Sequence, residues 1–268
     1  DLQPVDIEEY LSFLTYYEKD GQVFQNHAEG KARKLATLNT FFGYFHKKEM
    51  IQKNAPSVVD VPRIKEKNII RMDANEVAQL IDNIESGEKL SKTQKVWHNK
   101  NKLRDLAIVV TLLGTGVRVT ELVGLDISDL DFDNGAMRVI RKGGNEDIVY
   151  FGEEAEEMLR NYLDERLTME PDPGHENALF ISQKNTRITV RSVERLVKKY
   201  ASTATAKKIT PHKLRSTYGT ALYQETGDIY LVADVLGHKN VNTTRKHYAA
   251  MKEENKRKAA QVVQLREK

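Results

Sequence analysis

Gly114-Thr115-Gly116-Val117-Arg118-Val119-Thr120-Glu121-Leu122 is the stretch from which the rest of this chain can be read. Two glycines stop one helix, and a new helix starts with an arginine at its head. Behind it, residues 103–113 are apolar on most sides, as in a buried helix. An arginine at a helix start suits phosphate: helix N-termini attract anions, and a guanidinium fork adds two parallel donors. A glycine turn with an arginine is nevertheless common, so the stretch needs company.

Downstream, Met137-Arg138-Val139-Ile140 and Ile148-Val149-Tyr150-Phe151 are β-rich runs flanking Arg141-Lys142-Gly143-Gly144-Asn145. Gly-Gly and Asn favour a tight reversal, so a β-hairpin is expected with Lys142 at its turn. A turn lysine is ordinarily only solvated. Further on comes Thr210-Pro211-His212-Lys213-Leu214-Arg215-Ser216-Thr217-Tyr218-Gly219-Thr220. Pro211 can open a helix. His212 and Arg215, three apart, then share a face, placing a proton-moving imidazole beside a permanent cation. Last is Leu236-Gly237-His238-Lys239-Asn240-Val241-Asn242-Thr243-Thr244, followed by His247 and Tyr248.

Helical patterns dominate elsewhere, over 153–167, 190–200, 211–226 and 229–236. Ile7, Tyr10, Leu11 and Leu14 fall on one helix face, and Asp6 with Glu9 reads as its capped start. A second helix is expected over 28–48, with Leu35, Leu38, Phe41, Phe42 and Phe45 as its core side. Residues 86–101 are polar and read as a loop or insertion. Pro56 and Pro62 break the pattern between 54 and 70. The chain therefore divides into a helical N-terminal domain over 1–55, a basic linker over 56–71 and a second domain over 72–268.

Of the 268 residues, 40% are hydrophobic and 30% charged, which suits a globular fold with a sizeable core. The absence of cysteine excludes disulfides, thiolate zinc sites and a cysteine nucleophile. No run approaches the roughly 18 apolar residues of a membrane span, and a cytoplasmic location fits. The net charge of +3 is unevenly spread. Residues 31–71 hold ten Lys/Arg against three acids, net +7, leaving −4 for the rest. Lys31, Arg33, Lys34, Arg63, Lys65 and Lys67 are the candidate phosphate contacts in that segment. Asp126, Asp129, Asp131 and Asp133 could hold a magnesium ion, although acidic loops after a helix are usually solvated caps.

The order of these islands is more specific than any one of them. Arg118 to Lys142 spans 24 residues and Arg215 to His238 spans 23. Arginine, lysine, His-x-x-Arg, Gly-His and tyrosine in that order resemble the active-site signature of the tyrosine recombinase (phage-integrase-like) family. The words T-G-V-R-V-T-E-L, H-K-L-R-S-T-Y-G-T and L-G-H-K-N-V-N-T-T carry the likeness over about residues 70–250.

The resemblance implies a mainly α fold with a small β-hairpin or sheet (α+β). Its two domains, a helical core-binding domain and a catalytic domain, would clamp double-stranded DNA at a specific recombination site. It implies catalytic roles for Arg118, Lys142, His212, Arg215, His238 and Tyr248, with no metal, cofactor or ATP. It implies self-association as well: a dimer on one site and a tetramer in synapsis, in a bacterial-type, nucleoid-associated cytoplasmic setting. The tail over 252–268 would dock on a neighbouring protomer or simply fray; both readings stay open. The short N-terminal domain leaves room for an upstream helix or arm-binding domain.

One departure stands out. In the family pattern the tyrosine comes one residue sooner, where this sequence has His247. Histidine is a poor substitute for the strand-carrying nucleophile, so Tyr248 is the expected one. Three rivals remain: a type IB topoisomerase-like relaxing enzyme, a non-cutting DNA-binding regulator of the same fold, and a metal-dependent nuclease using the 126–133 carboxylates.

Overall fold

The computed structural model describes residues 2–64, 70–238 and 241. Two compact units emerge, Asp1–Asn68 and Ile69–Lys268.

In the first unit, α1 (Pro4–Phe13) precedes a hairpin of β1 (Tyr17–Lys19) and β2 (Gln22–Phe24), followed by α2 (Ala28–Lys47). Helix α1 starts two residues before Asp6. Pro4 supplies a helical φ at the first position, and Asp6 accepts from the Gln3 backbone N–H at 2.7 Å instead of pairing with Glu9. The β1–β2 hairpin was not foreseen, although Asp20-Gly21 at its tip, with φ of 51° and 70°, is a strong two-residue turn signal.

The core of this unit is Ile7, Leu11, Leu14, Leu35 and Val59. The aromatic face expected to be core on α2 is largely outside it: Phe41 is 57% exposed, and Phe42 and Phe45 are only half-buried and do not join this core. Helix α2 has 20 residues, but of its apolar side only Leu35 is buried in this core, with Leu38 packed beside it. Phe41 instead packs on Phe42 and Phe45, with ring centroids 5.4 and 4.9 Å away. The expected linker over 56–71 also begins too early, since a 3-10 turn at Ala55–Val58 buries Pro56 and leads Val59 into the core.

The second unit orders α3 (Ala74–Ser86), α4 (Lys92–Thr115), α5 (Val119–Gly124), β3 (Leu130–Asp131), β4 (Ala136–Ile140), β5 (Glu146–Tyr150), α6 (Glu153–Arg166), α7 (Val190–Ala204), α8 (Pro211–Thr226) and α9 (Ile229–Val235). The strands form one antiparallel sheet in the order β3-β4-β5. This is the mainly helical α+β class expected.

Helix α4 is the axis of the unit, packing on α3, α5, α6, α7 and α8. Ala107, Ile108, Val109 and Leu112 are fully buried within it. Its first two turns lie where a loop was expected. Ser91 starts them with a capping box, its hydroxyl accepting from Gln94 N and its N–H donating to the Gln94 side chain at 3.0 Å. Those turns are solvated, so no apolar stripe announced them. Trp97 lies there, half exposed, with Lys100 above its ring. Among the described residues no helix is long and apolar enough to cross a membrane.

Candidate active site

The site grows from two left-handed turns. Helix α4 ends on Gly116 at φ +63°, where a Cβ would meet the Tyr218 ring at 2.4 Å and Leu236 at 2.9 Å. Only glycine fits that approach. Burial pushes the Tyr218 phenol up, and its ring serves as packing beneath the turn. Two residues later Arg118 caps α5. Glu121 reaches back to accept from the Arg118 backbone N–H at 2.8 Å and from its guanidinium at 2.6 Å. Glu121 is only 4% exposed, whereas the Arg118 side chain is 32% exposed.

The second turn ends α9 on Gly237 at φ +58°. Gly237 N–H donates to Asp234 O at 2.7 Å and His238 N–H to Ala233 O at 2.9 Å. This paired pattern is a Schellman cap, and it fixes the backbone of His238. The carbonyls of residues 235, 236 and 237 find partners across the fold. Arg118 donates to Gly237 O at 3.0 Å, Arg215 to Leu236 O, and Arg141 to Val235 O at 3.2 Å. Three consecutive carbonyls at a helix C-terminus thus each receive a different guanidinium, where cations are favoured.

Arg215, on the second turn of α8, is 4% exposed and also donates to Gly116 O, so it ties the two glycine turns together. His212 sits at the exposed start of α8, just after Pro211. Lys142 is exposed on the turn between β4 and β5, which Arg141 and Asn145 close with a 2.7 Å backbone bond. Gly143 and Gly144 supply the positive φ values there. The structure therefore ties Arg118 and Arg215 directly to the turn that carries His238, through the carbonyls of Gly237 and Leu236, and it joins the Lys142 turn through the neighbouring Arg141. Tyr248 and His247 lie outside the described residues.

Sequence reasoning missed Arg141; Glu121, one turn past Arg118, reads from sequence as either an orienting group or a plain helix charge. Glu121 takes Arg118 on one oxygen and Arg141 on the other, the latter at 3.1 Å. The signal for Glu121 was its position three residues after the helix-capping Arg118. Arg141 offered no sequence signal beyond adjacency to Lys142.

The acidic stretch is otherwise engaged. Asp126 pairs with Arg187, Asp129 with Arg138 at 2.7 Å, and Asp131 caps Asn134. Among the described residues no group of three or more His, Cys, Asp or Glu is placed to hold a metal ion.

Of the candidate phosphate contacts, Lys31, Arg33 and Lys34 lie on the first turns of α2. Arg33 is exposed, and Lys31 donates to Thr15 at 3.1 Å. Arg63 is exposed outside regular structure, and Lys65 and Lys67 lie outside the described residues.

This chain is similar to known proteins over most of its length. The XerC tyrosine recombinase of Syntrophus aciditrophicus is 33% identical over 229 residues, 81% of this chain and 68% of that protein. The XerS tyrosine recombinase of Streptococcus agalactiae is 38% identical over 196 residues, 72% of this chain and 54% of that one. In fold, the chain resembles the Tn1549 transposon integrase solved with circular intermediate DNA. The TM-score is 0.70 at 21% identity, covering 96% of this chain and 86% of that one. The sequence model of the phage integrase family matches residues 70–255. That span contains both glycine turns and every guanidinium of the site, and the chain belongs to the phage integrase family as a tyrosine-type site-specific recombinase.

Proposed function

We propose that this protein cuts and rejoins double-stranded DNA at a specific site through a 3′-phosphotyrosyl intermediate, in the integration or excision of a mobile element. The observation that carries the reading is the convergence of Arg118 and Arg215 on the turn that bears His238. A phosphodiester gains negative charge as it is attacked, and fixed donors aimed at its oxygens lower the barrier most. Arg118 and Arg215 clamp the two non-bridging oxygens, a task that suits a planar fork and not an ammonium. His238 donates to the same phosphate.

The Tyr248 oxygen attacks phosphorus and the bond to the 5′ oxygen breaks. Lys142 gives that oxygen its proton, and His212 assists removal of the tyrosine proton. The phosphotyrosyl bond keeps the energy of the broken link, so attack by another 5′-hydroxyl rejoins strands without ATP. The arginines already supply the positive charge at the phosphate that a metal would provide. Lys31, Arg33, Lys34, Arg63, Lys65 and Lys67 contact the DNA backbone outside the scissile position. A dimer binds one site and a tetramer holds two. The DNA in the Tn1549 integrase structure supports the substrate class, and the name of that protein supports the mobile-element setting.

A nicked suicide substrate carrying the native site, incubated in EDTA, tests this reading. Wild type and His247→Ala are expected to trap a covalent protein–DNA band, and Tyr248→Phe none. A band that survives Tyr248→Phe would place the nucleophile elsewhere. No band from the wild type would favour a protein that binds without cutting.

A further inference from the structure

We propose that Arg141 is a positioning residue that locks the Lys142 turn onto the turn carrying His238. The proposal rests on the reading of Lys142 as the proton donor to the leaving 5′ oxygen.

Arg141 immediately precedes Lys142 and opens the same reversal, accepting at its carbonyl from Gly144 N–H at 3.0 Å. Its side chain is only 10% exposed and points away from solvent into three partners on three elements. Nε donates to Asp147 on β5 at 2.9 Å, Nη1 to Glu121 on α5 at 3.1 Å, and Nη2 to Val235 O at the end of α9 at 3.2 Å. The guanidinium lies against Gly237, where a Cβ would stand 2.9 Å from its carbon.

A hairpin turn with two positive-φ glycines is free to swing unless something holds it. Arg141 holds it at the residue adjoining the lysine. The same carboxylate that orients Arg118 orients Arg141, so the phosphate clamp and the proton donor are referenced to one buried group. Proton donation needs hydrogen-bond reach to a single oxygen, and small misplacements are costly.

The experiment measures single-turnover cleavage of two suicide substrates by wild type, Lys142→Ala, Arg141→Ala and Arg141→Lys. One substrate has the natural 5′ oxygen at the scissile bond and the other a 5′-bridging sulfur. A sulfur leaving group departs as thiolate without a proton donor. On oxygen, Lys142→Ala is expected to lose the roughly 10²–10⁴-fold that a general acid supplies. Arg141→Ala should lose a part of that, about 10–100-fold, with DNA affinity unchanged. On sulfur both should return to the wild-type rate, which also demonstrates a folded site. Arg141→Lys keeps the charge but cannot span three acceptors, and it should behave like the alanine variant.

An unimpaired Arg141→Ala, or a loss of equal size on both substrates, would overturn the proposal while leaving Lys142 in its role. If Lys142→Ala itself is not rescued by sulfur, the reading of Lys142 falls and this proposal falls with it.

Discussion

Glu121 and Asp105 are both buried carboxylates, with side chains 2% and 3% exposed, and each holds two cations. Asp105 takes Arg104 at 2.7 Å and Lys199 at 3.2 Å, and it accepts from Tyr200 at 3.0 Å. Tyr200 in turn meets buried His98 at 3.0 Å. Glu121 takes Arg118 and Arg141. The two differ in what lies beyond the ion pair. Arg104, 10% exposed, continues to Ile181 O, so that knot fastens α4 to α7 and the 181 segment. Arg118 is a third open to solvent and continues to the turn bearing His238. Each carboxylate holds one closed guanidinium and one more open cation; Asp105 fastens packed helices together, whereas Glu121 fixes two guanidiniums against the turn bearing His238.

Removing each carboxylate would break the comparison most directly. Glu121→Ala strands Arg141 and Asp105→Ala strands Arg104, both 10% exposed, and each should cost about 3–5 kcal/mol in urea unfolding. Cleavage rate per folded molecule should fall steeply only for Glu121→Ala. Equal rates in the two variants would make Glu121 a second knot and nothing more.

A smaller effect is expected at Gly237. Alanine there must hold φ +58° and press on the Arg141 guanidinium, costing about 1–2 kcal/mol. The cleavage rate should drop by more than this stability loss accounts for, because three guanidinium contacts converge on the same turn. The same substitution at Gly174, also at positive φ but with open space around it, should cost stability alone.

The smallest effect sharpens the Asp105 side. Burial, with the Lys199 cation adding to it, holds the His98 imidazole below its ordinary 6.5. The unfolded chain binds this proton more readily than the folded one. The contribution of His98 to stability is therefore full above about pH 6.5 and shrinks as the pH falls below it. Thermal unfolding between pH 7.5 and 5 should show a shallower decline for His98→Gln than for wild type. An identical decline would remove His98 from the pH response.

The family was more legible than the details of the architecture. Arg118, Lys142, His212, Arg215 and His238 lie in short words, and Gly116 and Gly237 within them answer to local backbone needs. The hairpin around Lys142 was readable for the same reason. The first turns of α4 were not, because solvated helix carries no apolar period; only the Ser91-x-x-Gln94 box marked it. The aromatic face of α2 misled because periodicity shows that a stripe exists and not whether anything covers it. Arg141 was invisible for a deeper reason. Its bond to Val235 O joins residues 94 apart in the chain, and only the folded path brings them together.

The row of carbonyls at 235, 236 and 237 also sets where the chain tolerates a change in length. An added residue within α9 ahead of Val235 would shift all three acceptors by about 100° of helical rotation and release three arginines together. An added residue after His238 moves none of them. The one-residue offset of Tyr248 from the family pattern, counted from His238, falls after that row and leaves the three guanidinium contacts as they are.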